Sequence, residues 1–149
     1  MKLYLLRHGE AANPVGEPSL SDKGRLHIER LATFLNLKVP QIYHSGKLRA
    51  SQTAEIIANK MSPSPQINIL KGLNPEDNPS SLLETIQHWQ QITLLVGHLP
   101  FMTKLAALLL TGYEDGCFLN ITPGTILCLE KDTTQHWVLQ WMITADVLH

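Results

Sequence analysis

Lys2-Leu3-Tyr4-Leu5-Leu6-Arg7-His8-Gly9-Glu10 is the stretch on which the fold turns. The apolar run from Leu3 to Leu6 stops at a charged residue and then a glycine, the pattern of a short buried strand entering a tight turn. The same sign recurs at Ile92-Thr93-Leu94-Leu95-Val96, which ends on Gly97-His98. A shorter strand is expected at Gln41 to His44, followed by Ser45-Gly46-Lys47. Strands that lead repeatedly into helical spacing build an α/β fold on a largely parallel sheet. The expectation is one three-layer α/β/α domain over residues 1–149, a mostly parallel central sheet flanked by helices, with antiparallel strands at its closing edge.

Working outward, Ser21 is placed to cap a helix running to about Asn36, with Ile28, Leu31, Ala32 and Leu35 as its apolar face. Ser45 is expected to cap a second helix through Met61 that buries Leu48, Ile56 and Ile57. Gln66 to Leu70 alternates as a further strand, and Ser80 to Gln91 has weaker helical character. Pro100 falls where a first-turn proline belongs, opening a helix to about Leu110. Thr125 to Glu130 and His136 to Met142 alternate as strands joined by a turn at Asp132 to Gln135, which puts Trp137, Leu139 and Trp141 on one face as sheet core. Asn13 to Ser19, Ser62 to Gln66 and Asn74 to Ser81 read as loops.

Twelve Lys and Arg against thirteen Asp and Glu give a net charge of −1. A nucleic-acid binder usually carries a basic surplus, so no nucleic-acid partner is expected. Cys117 and Cys128 are too far apart for a CxxC motif and too few for a disulfide scaffold, so they read as reduced thiols. The run before Arg7 is too short for a signal-peptide core, and the longest apolar stretch, Leu105 to Leu110, is far short of a membrane span. A cytoplasmic protein with no membrane partner is the expectation.

Three segments place a cationic or nucleophilic side chain just after a strand: Arg7-His8-Gly9-Glu10, His44-Ser45-Gly46-Lys47-Leu48-Arg49-Ala50 and Gly97-His98-Leu99-Pro100. Ligands of open α/β sheets bind outside the carboxyl ends of the strands. If the three strands are neighbours, Arg7, His8, Arg49 and His98 meet in one pocket, and phosphate suits it best because a guanidinium matches phosphate oxygens in bidentate fashion. Ser45 and Pro100, as helix openers, would add N–H groups to the anion field. A buried histidine is usually a packed residue, and His27, His88, His136 and His149 are left as such. Among the seven histidines no pair has HxxxH or similar ligand spacing, so no metal is expected. Ser45 lacks a GxSxG setting and is not read as a nucleophile.

These segments carry a resemblance to the histidine phosphatase superfamily, also called phosphoglycerate-mutase-like. Its RHG tripeptide after the first strand is matched by Arg7-His8-Gly9. Its S-P-x-L-R-A-x-Q-T-A stretch is matched by Ser45-Gly46-Lys47-Leu48-Arg49-Ala50-Ser51-Gln52-Thr53-Ala54, and its G-H-x-P by Gly97-His98-Leu99-Pro100. A weaker Leu-Ser-x-x-Gly signal is matched by Leu20-Ser21 and Gly24. About fifty residues separate Arg49 from His98, little room for the lid segment of larger members, and this is similar to the SixA-like branch of phosphohistidine phosphatases.

The resemblance implies a metal-independent phosphatase, without cofactor. His8 attacks phosphorus to give a covalent phosphohistidine, while Arg7, Arg49 and His98 bind the phosphoryl oxygens. Ser45, Asn13 and Lys47 are the further substrate-binding candidates, and Asn13 reads equally as a plain loop residue. Gly46 departs from the family's proline. Glu76 and Asp77 are the two candidates for a proton donor, against a default of solvated loop charges, and Glu10 is expected to hold a neighbouring group. The expected partner is a phosphorylated protein, such as a histidine phosphotransfer domain. The alternatives are a small phosphorylated metabolite on the same site, or a phosphate-binding module without turnover.

Overall fold

The computed structural model describes residues 1–12, 15–115 and 119–149. The chain runs through strand β1 (Lys2–Arg7), a two-residue pair β2 (Ala11–Ala12) and β3 (Ser19–Leu20), helix α1 (Asp22–Leu35), β4 (Gln41–His44), α2 (Leu48–Asn59) and β5 (Gln66–Ile69). After a 3₁₀ turn at Pro79–Leu82 follow α3 (Leu83–His88), β6 (Thr93–Gly97), α4 (Phe101–Thr111), β7 (Thr125–Lys131) and β8 (Trp137–Thr144). The central sheet has the order β5-β4-β6-β1-β7-β8. The first four strands in that order are mutually parallel, while β7 is antiparallel to both β1 and β8. This is the expected α/β/α architecture with a mostly parallel sheet. The β2–β3 pair was not anticipated, because two-residue strands leave no periodic pattern.

The period of two along the strands sorts the core onto two faces. Tyr4 and Leu6 of β1 pack with Ile28, Leu31, Ala54 and Ile57 of α1 and α2. Leu3 and Leu5 point the other way, onto Ile86 of α3 and Phe101, Met102 and Leu105 of α4. Burying such side chains stabilises the fold by about 1.5–3 kcal/mol each.

Helix α1 begins as expected: the Ser21 hydroxyl accepts the Gly24 N–H at 3.0 Å, and Asn36 ends the helix in the left-handed region at φ 46. Helix α2 does not begin at Ser45. It starts at Leu48, and its N-cap residue Lys47 supplies no side-chain cap. The Glu17 carboxylate instead accepts the Leu48 N–H at 2.8 Å. Leu48 is exposed and Ile56 half-buried, so of the three residues expected inside α2 only Ile57 is fully so. Pro100 stands one position before α4 rather than in its first turn. The stretch from Ser80 splits into a 3₁₀ turn and a six-residue helix.

The tryptophans do not share a face. Cys128 pairs with Trp141 while its neighbour Leu129 pairs with Leu139, so Gln140 is an extra residue in the ladder. That bulge resets the alternation. Trp137 and Leu139 pack towards α3 and α4, whereas Trp141 lies on the opposite core, 5.9 Å from the Tyr4 ring.

Candidate active site

β4, β6 and β1 are adjacent and parallel, so their carboxyl ends lie side by side. His44 and Val96 are register partners, as are Arg7 and Gly97. His8 and His98 follow at once from β1 and β6, and their rings stand 5.0 Å apart between centroids. Arg49, in the first turn of α2, donates through Nε to His8 Nε2 at 3.3 Å. The four residues expected to converge are therefore brought to one sheet end.

The corner that carries His8 is held by close packing. The His8 N–H donates to the Gly97 carbonyl at 3.0 Å, extending the β1–β6 ladder past the strand. The Gly9 N–H donates to Thr53 Oγ1 at 3.1 Å, and that hydroxyl donates to the Arg49 carbonyl at 2.8 Å. Thr53 thus ties the corner to the turn that bears Arg49. The first turn of α1 lies directly on the corner: a Cβ on Gly24 would sit 2.1 Å from the Glu10 carbonyl oxygen, and one on Gly9 would sit 2.8 Å from Ile28 Cγ1. The Leu-Ser-x-x-Gly signal is thus a close-approach requirement. Glu10 faces away from the pocket, accepting the Ser21 hydroxyl at 3.0 Å and pairing with Lys23 at 3.8 Å.

Two contacts define the protonation of His8. The Gly9 carbonyl only accepts, so the 2.7 Å contact requires a proton on Nδ1. Arg49 Nε only donates, so Nε2 presents its lone pair. The ring is the neutral Nδ1–H tautomer, with the Nε2 lone pair accepting from Arg49. Burial is the main cause that pushes the His8 pKa down, to about 4, and the guanidiniums of Arg49 and Arg7 add to it against the Gly9 hydrogen bond. His98, 1% exposed, is held down to about 3 by burial first and then by His8, Arg49, Lys47 and Arg7. Its Nε2 shares a 2.6 Å hydrogen bond with Ser45 Oγ, and its Nδ1 is buried with no partner among the described residues.

Arg7 donates to the Ile121 carbonyl at 2.9 Å, while its buried Nε finds no partner among the described residues. Burial and the neighbouring Arg49 charge both push its pKa down. The only ion pair among the described residues is Lys23 with Glu10, so no carboxylate of theirs lies within 4.0 Å of Arg7, Arg49 or Lys47. Two guanidiniums side by side without a counter-charge favour an anion strongly.

The rest of the anion field differs from expectation. The N–H groups of Gly46, Lys47 and Leu48 are taken by His44 Nδ1, Ser45 Oγ and Glu17, and the Met102 N–H by the His98 carbonyl. The positive field therefore rests on side chains rather than on these helix-entry amides. Ser45 reaches His98, and Lys47 stands half-buried beside it. His44 is buried and shapes the turn by accepting the Gly46 N–H at 3.0 Å. Asp77 accepts the Asn74 N–H at 2.8 Å within its own turn, and Glu76 is exposed. Neither makes a hydrogen bond to the four central residues among those described. Asn13 and Cys117 lie outside the described residues. Thr53, Gln52 and Glu17 are supporting residues without an assigned role at the level of sequence; Gln52 accepts the Leu20 N–H at 2.8 Å. A groove of about 600 Å³ between the outer face of α1 and Val147 contains none of the four central residues.

A buried neutral imidazole between two uncompensated guanidiniums, at the carboxyl end of a parallel sheet, defines an α/β protein with a phosphate-type anion site. Residues 3–75 match the histidine phosphatase superfamily (branch 1). Over 99% of both chains the fold is similar to that of the protein histidine phosphatase SixA complexed with tungstate, at 21% identity and a TM-score of 0.84. It is also similar to the alpha-ribazole phosphatase of Shigella flexneri (15% identity, 97% of both chains, TM-score 0.76). A phosphoserine phosphatase of Entamoeba histolytica, solved with 3-phosphoglyceric acid, aligns at 18% identity over 96% of both chains with a TM-score of 0.75. No curated protein matches the chain in sequence. The matched stretch, which holds Arg7, His8 and Arg49, is thus similar to the histidine phosphatase superfamily, a hydrolase family.

Proposed function

We propose that the protein hydrolyses phosphohistidine on a protein through a covalent intermediate on His8. The observation that carries this reading is the fixed tautomer: Nδ1–H is held by Gly9, which leaves the lone pair on Nε2 with the ring neutral down to about pH 4, and that lone pair is released when the Arg49 Nε–H turns from it to a phosphoryl oxygen. Nε2 attacks phosphorus in line, the new N–P bond forms, and the bond from phosphorus to the leaving group breaks with its electron pair. Arg7 and Arg49 hold the phosphoryl oxygens and offset the charge that spreads over them. Water then attacks phosphorus of the phosphorylated Nε2, releasing phosphate and restoring the imidazole.

The leaving group separates the substrate classes. An alkoxide needs a proton from a placed acid, and neither Asp77, engaged in its own turn, nor exposed Glu76 supplies one by a contact with the site. An imidazole whose second nitrogen is protonated leaves neutral, and that nitrogen titrates near 6.5 in an ordinary setting. This supports an N–P substrate over an O–P ester. The fold alone is neutral between them, since it is shared with protein-histidine, phosphoserine and alpha-ribazole phosphatases.

The test follows phosphate release from a histidine-phosphorylated phosphotransfer protein and from phosphoserine, an alkyl ester whose leaving group needs a proton, with wild type beside His8→Ala. Fast release from the protein, slow release from the ester and a loss of at least about a thousandfold in the variant are expected. Turnover that survives His8→Ala ends the covalent mechanism. A clear preference for the ester moves the protein to the metabolite phosphatases.

A further inference from the structure

Two large aliphatic side chains stand exposed on the β4–β5 side of the pocket. Ile69, 64% exposed, closes the edge strand β5, and its side chain lies over Gly46, where a Cβ would touch it at 3.5 Å. Leu48, 39% exposed, opens α2 immediately before Arg49. Lys47, the sequence neighbour of both Gly46 and Leu48, has no carboxylate of the described residues within 4.0 Å and is near enough to His98 to act on its charge. The acid beside them, Glu17, is committed to the Leu48 N–H. The turn is thus an apolar and cationic shoulder joined to the pocket through the Ser45–His98 hydrogen bond.

We propose that Leu48, Lys47 and Ile69 form a docking ridge for the phosphorylated protein, covering apolar side chains beside its phosphohistidine while the phosphoryl group enters between Arg7 and Arg49. The proposal rests on the phosphoprotein reading given above and assigns the surface that recognises it. Charge complementarity selects the partner: an anionic phosphoryl group meets the uncompensated cations, and Lys47 extends that field onto the ridge. Covering two aliphatic side chains gains free energy only for a partner with its own apolar surface, which a protein has and a small polar metabolite lacks.

The experiment compares wild type, a Leu48→Gln/Ile69→Gln double variant, which removes the apolar surface without adding charge beside Arg49, and Val138→Glu, an exposed aliphatic on β8 at the far edge of the sheet. Phosphate release is measured from the histidine-phosphorylated phosphotransfer protein and from p-nitrophenyl phosphate. The expected result is a fall of at least about tenfold in kcat/KM on the protein, mostly in KM, with the ester rate unchanged and Val138→Glu like wild type. Equal losses on both substrates, or no loss on either, overturn the ridge. So does a wild-type dimer that the double variant disperses while protein turnover stays intact, because the ridge then serves a second copy. Should the double variant fail to fold, Leu48→Ser/Ile69→Ser carries the same comparison. A wild type that turns over the ester and ignores the phosphoprotein defeats the functional reading itself, an outcome distinct from ridge failure on an active phosphoprotein phosphatase.

Discussion

His8 and His98 leave paired interior strands and are almost closed off from water, at 8% and 1% exposure, whereas Ser45, Gly46 and Lys47 leave β4 beside the edge strand β5 and stand partly in solvent. The first side is held chiefly by backbone contact: β1 against β6, the His8 N–H on the Gly97 carbonyl, Gly24 against Glu10. The second is held by single hydrogen bonds onto side chains: the Gly46 N–H donates to His44, the Lys47 N–H to Ser45 and the Leu48 N–H to Glu17. The chemistry proposed at His8 needs sub-ångström placement, and it falls on the side where steric packing leaves no slack. The side built from exposed, adjustable contacts suits recognition of a large partner.

Gly24→Ala should break this contrast most severely. Its Cβ would meet a backbone carbonyl that no rotamer change can move, so a loss of more than about 3 kcal/mol in urea unfolding is expected, with activity falling alongside. A Gly24→Ala protein with wild-type stability would mean that the corner is not steric in origin.

Acid sharpens the contrast next. Both central histidines have pKa values below the 6.5 of the unfolded chain, at about 4 and 3. Between those values and 6.5 the unfolded chain binds more protons, so stability is complete above about 6.5 and declines as the pH falls towards 4. A cost on the order of 2–3 kcal/mol from His8 alone is expected by pH 4, read from denaturation midpoints across pH. His8→Ala should remove its share of that slope, and an unchanged slope would place the burial penalty elsewhere.

Ser45→Ala is the mildest change. It removes the 2.6 Å hydrogen bond to His98 while the packed corner stays intact. A fall in kcat of about tenfold is expected with little change in stability, and nitrogen chemical shifts of His98 should report a changed tautomer. A large loss of stability with unchanged His98 shifts would instead make Ser45 a plain structural residue.

The packed side was the legible one. A strand that ends on Arg7-His8-Gly9 and another that ends on Gly97-His98 show themselves through local runs of apolar residues, and parallel pairing then places both ends together. The turn side was harder to read. Ser45 has the composition of a helix cap, but Gly46 at φ +91 redirects the chain and delays α2 to Leu48. The residue that does hold the α2 amide, Glu17, is 31 positions away and leaves no local sign. The tryptophan stripe failed for a related reason: one bulged residue, Gln140, inverts every later position, and no local residue preference announces it.

Gly46 also bears on redesign. The resemblance sets proline at this position, yet a pyrrolidine ring holds φ near −65° and the backbone here sits at +91. Majority-rule redesign would write Gly46→Pro as a repair. In this chain that substitution would unmake the Gly46 N–H bond to His44, tilt the Ser45 hydroxyl away from His98 and uncouple Ile69 from the turn. Residue and backbone at this corner form one inherited unit, so a graft from a proline-bearing relative has to carry the whole turn from His44 to Leu48 or leave it alone.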